Sequence, residues 1–357
     1  MSVDAAEGDL IARREGVAGV IRLNRPKAIN ALTLEMTRDM DRALDAFQAD
    51  PAVALIVLEG AGERGLCAGG DIRGLYDSAR EKGDLGPVFW REEYILDDRI
   101  ARFPKPYVAY MDGLVMGGGT GLAAHGSHRV VNDRTKVGMP EVGIGFFPDV
   151  GGTWLLSRAP GEVGTYFGLT GQTMNGADAI YADFADFYIP SAKWPDLRAA
   201  LIALPIGADA ARVTNTIGSF TEKPQQGIAE QHRAQIDALF GHDSVEGIVA
   251  ALRADGSEFA RATLKAIGEK SPTSLKVALK LLRAARGSKS LQECLAREYR
   301  AALQVFDSAE FIEGVRAAII DKDRQPKWQP ARIEDVTPEI VDRYFAPRPG
   351  DQLVFPK

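Results

Sequence analysis

The chain has 357 residues, with 43 Lys and Arg against 49 Asp and Glu (net charge −6), 45% hydrophobic residues and two cysteines. A chain this long buries about three quarters of its unfolded surface and folds without disulfide or metal staples as one large domain or two ordinary ones. Cys67 and Cys294 are too few for a secreted disulfide framework, and the acidic balance excludes a protein whose whole surface grips nucleic acid.

The N-terminal stretch carries Asp4, Glu7 and Asp9 and no apolar core, which predicts neither a secretory signal nor a transit peptide. Apolar runs such as Val53–Leu58 fall far short of the ~20 residues of a membrane span, so a soluble cytoplasmic protein is expected. Val17–Leu23 reads as a short strand closed by the turn Asn24-Arg25-Pro26. Thr33 can cap a following helix in which Met36, Met40, Ala43, Leu44 and Phe47 share one apolar face. Val53–Leu58 is apolar throughout and short, the pattern of a central strand. Gly60 to Gly70, with five glycines in eleven residues, reads as a loop. Tyr107–Met111 reads as the next strand, leading into Gly117-Gly118-Gly119 and a small-residue helix through Ala124. From about Ser191 helical patterns follow one another, as in Ser274–Ala285 and Ala309–Ile320. Strands alternating with helices, then a helical part, predict an α/β layered fold with residues 1–190 as its core and 191–357 as a helical C-terminal region.

Three segments can carry chemistry. The loops Cys67-Ala68-Gly69-Gly70-Asp71 and Gly117-Gly118-Gly119 each follow a strand and precede a helix, where unpaired backbone N–H groups favour negative charge. Two such loops converging on one oxygen would form an oxyanion hole; tight packing turns are the plainer reading. In the third segment, Met139 to Gly152, Glu141 and Asp149 stand in an apolar, glycine-rich stretch. Desolvation there would raise a carboxyl pKa toward neutrality, as proton transfer requires. Asp149 can equally cap a helix starting near Gly151.

Asn24 to Leu32, Cys67-Ala68-Gly69-Gly70-Asp71-Ile72, Gly117-Gly118-Gly119 and Pro140-Glu141 together resemble the ordered signature of the crotonase (enoyl-CoA hydratase/isomerase) superfamily. Phe311 to Ala317 resembles that family's late helix, so the resemblance covers most of the chain, least over 190–300. It implies a spiral of ββα units that binds acyl-CoA thioesters, with the N–H groups of Gly70 and Gly118 holding the thioester oxygen. Hydratases of the family carry a glutamate two residues past the glycine triplet; Gly121 stands there, so only Glu141 of the hydratase pair is matched. Gly117 to Gly126, Val88 to Tyr94 and Phe146 to Gly152 look instead like the family's 3-hydroxyisobutyryl-CoA hydrolase branch, which acts in valine catabolism. That likeness implies Glu141 and Asp149 at the reaction centre with Gly70 and Gly118. It adds a substrate-binding set of Ala28, Ala68, Gly69, Asp71 and Glu93, together with Gly118, Glu141 and Asp149. It implies no cofactor, coenzyme A being part of the substrate, no metal, no nucleic-acid or membrane partner, and a homo-oligomer. Arg25, Lys27 and Lys322 are candidates to meet the coenzyme A phosphates. The alternatives are a hydratase or isomerase of the same family, or an inactive acyl-CoA-binding protein.

Other motifs have weaker claims. Gly119-x-Gly121-x-x-Ala124 approaches a dinucleotide fingerprint, but Glu141 follows a poor strand end. Cys67 reads as a small buried turn residue rather than a nucleophile, and His125 and His128 lack further metal-ligating neighbours. Ser127 is not in a Gly-x-Ser-x-Gly elbow.

Overall fold

The computed structural model describes residues 8–356; Asp4 and Glu7, on which the reading of the N-terminus partly rests, lie outside them. The chain forms two compact units. The first takes residues up to Gly70, Leu96–Val137 and Met174–Gly227; the second takes Asp71–Ile95, Gly138–Thr173 and residues from Ile228 on.

Among the described residues ten strands run in chain order: β1 (Leu10–Glu15), β2 (Ala18–Leu23), β3 (Leu55–Gly60), β4 (Gly65–Cys67), β5 (Tyr107–Tyr110), β6 (Leu114–Met116), β7 (His128–Val131), β8 (Lys136–Gly138), β9 (Thr173–Met174) and β10 (Phe187–Tyr188). The main sheet of the first unit has the order β1-β2-β3-β5-β7-β10. Only β1 and β2 pair antiparallel; the other neighbours are parallel. A parallel sheet buries both faces, and β3, near its middle, is buried from Leu55 to Glu59, as its unbroken apolar run predicts. Tyr110 and Trp194 stack flat at 3.7 Å over one face.

Helix α1 (Leu34–Ala49) buries the predicted face, Met36, Met40, Ala43, Leu44 and Phe47, and Thr33 caps it by accepting a hydrogen bond from the Met36 N–H at 3.2 Å. The loop expected from Gly60 to Gly70 contains the short strand β4, paired parallel with β6. Three residues are too few to show a period of two, and the pairing partner lies almost fifty residues away in sequence. Asn30, fully buried at φ +54, holds this region together. Its Nδ2 donates to the carbonyls of Ala61 (3.0 Å), Gly65 (3.2 Å) and Leu66 (3.0 Å), while its Oδ1 accepts from the Arg25 N–H at 2.9 Å.

The second unit is built mainly of helices. The first two are α2 (Ile72–Arg80) and the N-terminal part of α3 (Leu85–Ala101). After α4 (Gly118–Ala124), which belongs to the first unit, comes α5 (Gly152–Arg158). Helices Pro272–Ala285 and Leu291–Phe306 are capped by Ser271 and Ser290. The helix expected over 309–320 is α-helical from Ala309 to Val315 and π-helical over Arg316–Ile320, where Arg316 is ion-paired with Glu313, Asp321 and Asp323. Among the described residues no helix is long and apolar enough to cross a membrane.

Asn30→Ala strips two buried carbonyls, Gly65 and Leu66, and the half-buried Ala61 carbonyl of this donor, so thermal or urea unfolding should show a loss of about 2–3 kcal/mol. Unchanged stability would mean that the 24–32 loop is held by other contacts.

Candidate active site

In the first unit the two glycine loops leave the C-terminal ends of neighbouring parallel strands, β4 and β6. Parallel pairing delivers them to the same edge. Gly69, at φ +101, lies against the second loop: a Cβ there would sit 3.2 Å from the Met116 oxygen and 3.8 Å from the Gly118 nitrogen. Only glycine combines that conformation with that approach. Gly118 is the first residue of α4, where an N–H has no acceptor inside the helix, and Gly70 forms an isolated parallel bridge with Leu32. Residues 28–32 line the first loop, with the Ala68 N–H on the Ile29 carbonyl at 2.9 Å and the Leu32 N–H on the Gly69 carbonyl at 2.8 Å. Ala28 and Ala68 are exposed, and Asp71 begins α2 without capping it through its side chain.

The second unit gathers the acids. Trp90, Glu93 and Tyr94 fall at i, i+3 and i+4 on α3 and therefore share a face. Glu141 opens a one-turn 3-10 helix, Glu141–Gly143, whose Val142 carbonyl accepts from the Ser271 N–H at 3.0 Å. Asp149 follows Phe146 and Phe147, and its Oδ2 accepts a hydrogen bond from the Tyr94 hydroxyl at 2.7 Å. The rings of Trp90, Phe146, Phe147, Phe306 and Phe311 pack together with neighbouring centroids 4.6 to 6.3 Å apart, an apolar wall beside the acids.

Exposure is 2% for Glu93, 7% for Glu141, 5% for Asp149 and 0% for Glu298. Burial is the main cause of the shifts in all four. It lifts Glu93 and Glu141 well above the usual carboxylate range, with a further push from the nearby Asp149. Asp149 is raised to about 7, with the Tyr94 hydrogen bond working in the opposite direction. Glu298 is also raised to about 7, against the hydrogen bonds it accepts from Thr153 and Gly151. Tyr94, between these acids, keeps its proton well above the usual phenol range. Glu93 Oε1 and Glu141 Oε2 have no hydrogen-bond partner among the described residues. Each presents a buried polar atom that a substrate can satisfy.

Asp149 does not cap α5. The cap position is Gly151, with no side-chain cap of its own, and Glu298 supplies the acceptor: its Oε2 binds the Gly151 N–H at 2.8 Å and its Oε1 the Thr153 N–H at 3.1 Å and the Thr153 hydroxyl. Tyr94 and Glu298 were therefore missed as site residues. Glu298 had a signal: Leu291, Cys294, Leu295, Glu298, Tyr299 and Ala302 repeat at helical spacing, placing an acid inside an apolar stripe.

The remaining candidates fall elsewhere. Cys67 is buried with its Sγ on the Asn30 carbonyl at 3.1 Å. His128 is buried between the hydroxyls of Ser127 and Thr214, both at 2.9 Å, and burial lowers its pKa. The Arg25 guanidinium is turned to the Ala31 carbonyl at 2.5 Å and Asp9 at 3.4 Å, whereas Lys27 is exposed. Among the described residues no group of three His, Cys, Asp or Glu side chains is placed to hold a metal ion.

Residues 18–345 match the family model described as enoyl-CoA hydratase/isomerase. Similar full-length proteins include the mitochondrial 3-hydroxyisobutyryl-CoA hydrolase of Mus musculus, 42% identical over 99% of this chain and 93% of its own, and that of Homo sapiens, 41% identical over 99% and 92%. Among solved structures, a carnitinyl-CoA dehydratase from Mycobacterium thermoresistibile superposes with a TM-score of 0.90 at 44% identity, over 96% of this chain and 97% of its own. An enoyl-CoA hydratase from Rhodobacter sphaeroides gives 0.89 at 42%, over 98% and 100%.

A carboxyl whose folded pKa lies above its unfolded value favours folding while protonated and loses that advantage as pH rises through the folded value. For Asp149, at about 7 in the fold against 3.8 in the unfolded chain, the loss is complete above pH 7 and vanishes below about pH 4. Asp149→Asn, which keeps an acceptor for Tyr94, should therefore be more stable than the wild type at pH 8, on the order of 4 kcal/mol, with the gap closing toward pH 4. Thermal melts across this range test it; a gap that does not change with pH refutes the raised pKa.

Proposed function

Because the chain belongs to the enoyl-CoA hydratase/isomerase family, we propose that it hydrolyses the thioester of 3-hydroxyisobutyryl-CoA to 3-hydroxyisobutyrate and coenzyme A, a step of valine breakdown. The observation that carries this reading is the full-length likeness to vertebrate enzymes named for that hydrolysis. The site chemistry supports it. Thioester hydrolysis needs donors for the carbonyl oxygen as it becomes an oxyanion and one carboxylate that activates water or attacks the carbonyl itself.

The N–H groups of Gly70 and Gly118 serve as the oxyanion donors in this scheme. Glu141, buried and with one oxygen unpartnered, supplies the carboxylate. Its raised pKa makes it a strong base once ionised. As base it takes a proton from water as the oxygen bonds to the acyl carbon; collapse of the oxyanion then breaks the carbon–sulfur bond, and the leaving thiolate takes that proton back from Glu141 to depart as the thiol. Asp149, held by Tyr94, binds the 3-hydroxyl, and Glu93 adds a hydrogen bond to the acyl group. Ala28, Ala68, Gly69 and Asp71 complete the proposed substrate contacts. No resident cofactor is invoked, and the proposed assembly is a homo-oligomer. Neither Cys67 nor Cys294 is in a disulfide, which suits a reducing compartment; the vertebrate relatives are named as mitochondrial, and the cytoplasm is our proposal for this chain.

A second reading is addition of water to, or its loss across, a carbon–carbon bond, the reactions for which the two similar solved enzymes are named, a carnitinyl-CoA dehydratase and an enoyl-CoA hydratase. Gly121 argues against it here, because a two-carboxylate hydration needs an acid at that position.

The test is thiol release from 3-hydroxyisobutyryl-CoA run beside hydration of crotonyl-CoA. The expected result is free coenzyme A in the first and no measurable change in the second; rapid crotonyl-CoA hydration would overturn the assignment. Glu141→Gln should lower kcat by about 10²-fold or more, and near-normal turnover would remove Glu141 from the mechanism.

A further inference from the structure

We infer that Glu298 is a positioning residue: through the turn 149–153 it fixes where the Asp149 carboxyl stands. The inference rests on the reading of Asp149 as a group at the reaction centre. Val150 and Gly151 both lie at positive φ, +50 and +74, directly after Asp149. That conformation is rare for a β-branched residue, so the segment does not adopt it unaided. Glu298, 147 residues further along the chain, holds it by accepting from the Gly151 and Thr153 N–H groups and the Thr153 hydroxyl. The Gly152 N–H closes the turn on the Asp149 carbonyl at 2.5 Å. Asp149 is thereby fixed at both ends, its main chain by Glu298 and its carboxyl by the Tyr94 hydroxyl.

A cap alone would not call for this residue. Elsewhere neutral or exposed side chains from the adjoining sequence cap the helices, as Thr33, Ser244, Ser257, Ser271 and Ser290 do. At α5 the cap is instead a fully buried carboxyl drawn from a distant helix, a costlier arrangement than a serine. What a carboxylate adds is charge, and that charge acts on Asp149 and Tyr94. The ionisable groups around Asp149 are Glu93 and Tyr94 from α3, Glu141 from the 3-10 turn, and Glu298 with its neighbour Arg297 from helix Leu291–Phe306. Glu298 raises the proton affinity of Asp149, so its neutralisation lowers the Asp149 midpoint.

The experiment compares the full-length wild type with Glu298→Gln and Thr153→Val. Three quantities are read: kcat and KM for thiol release, melting temperature, and the Asp149 midpoint from carboxyl carbon-13 NMR, assigned with Asp149→Asn. Glu298→Gln keeps the volume but turns an amide N–H toward Gly151 and removes the charge. It should lower kcat by about 10²-fold with KM within about threefold, and move the Asp149 midpoint to lower pH. Thr153→Val, which leaves both backbone bonds, should fold like the wild type and lose about tenfold in kcat. A folded Glu298→Gln protein with wild-type kcat and midpoint overturns the inference. If Glu298→Gln does not fold, wild-type kcat in Thr153→Val overturns it. A wild type that releases no thiol would sink the proposed hydrolysis instead, and the midpoint, measured without substrate, then decides the link between Glu298 and Asp149.

Discussion

A carboxyl group removed from water keeps its proton far above the usual range, and in the second unit Asp149 stands within electrostatic reach of Glu93, Glu141 and Glu298. All four cannot be ionised together at low cost. The structure divides them by hydrogen bonding. Asp149 accepts from Tyr94 and Glu298 from Gly151 and Thr153, and these bonds favour the charged form. Glu93 and Glu141 each keep an oxygen with no partner among the described residues, and burial and the nearby Asp149 hold both well above the usual carboxylate range. The anchored pair fixes geometry; the unanchored pair is left with bonding capacity for a substrate. Acids of one chemical type thus acquire different roles from their surroundings alone.

Such burial opposes folding above neutral pH, and the rest of the second unit offsets it. The rings of Trp90, Phe146, Phe306 and Phe311 bury apolar area beside the acids, and helices Pro272–Ala285 and Leu291–Phe306 begin with serine caps and carry long apolar faces. The same rings keep water away, which is what raises the carboxyl pKa values. Packing and proton affinity are coupled through one apolar wall, so a mutation that admits water near Phe146 would relax the buried acids toward the usual carboxylate range.

Much of this was legible in the sequence where a short-range pattern reports the local environment. The spacing of Met36, Met40, Ala43, Leu44 and Phe47 revealed the buried face of α1, and the unbroken run around Leu55 to Leu58 revealed a strand covered on both sides. Glu141 stood out as an acid among apolar and glycine residues, and the crotonase resemblance rested on the loops that carry Gly70 and Gly118. What stayed hidden depends on partners distant in sequence. Strand β4 exists because Gly65 to Cys67 meet Leu114 and Val115. Asp149 looked like a cap as much as a catalytic acid, because nothing near it showed that Glu298 fills the cap and Tyr94 takes the carboxylate.

That substitution at the cap has a consequence for chemistry. A side chain that caps a helix has its oxygens occupied by backbone N–H groups, as both Glu298 oxygens are here. An Asp149 spent on the α5 terminus would have its lone pairs engaged there instead of open to another partner. With Glu298 accepting from Gly151 and Thr153, the Asp149 carboxyl needs only the Tyr94 hydroxyl and remains near 7. The separation of the anchored cap from the Asp149 carboxyl is therefore made by a contact across 147 residues, between Glu298 and the Gly151 N–H.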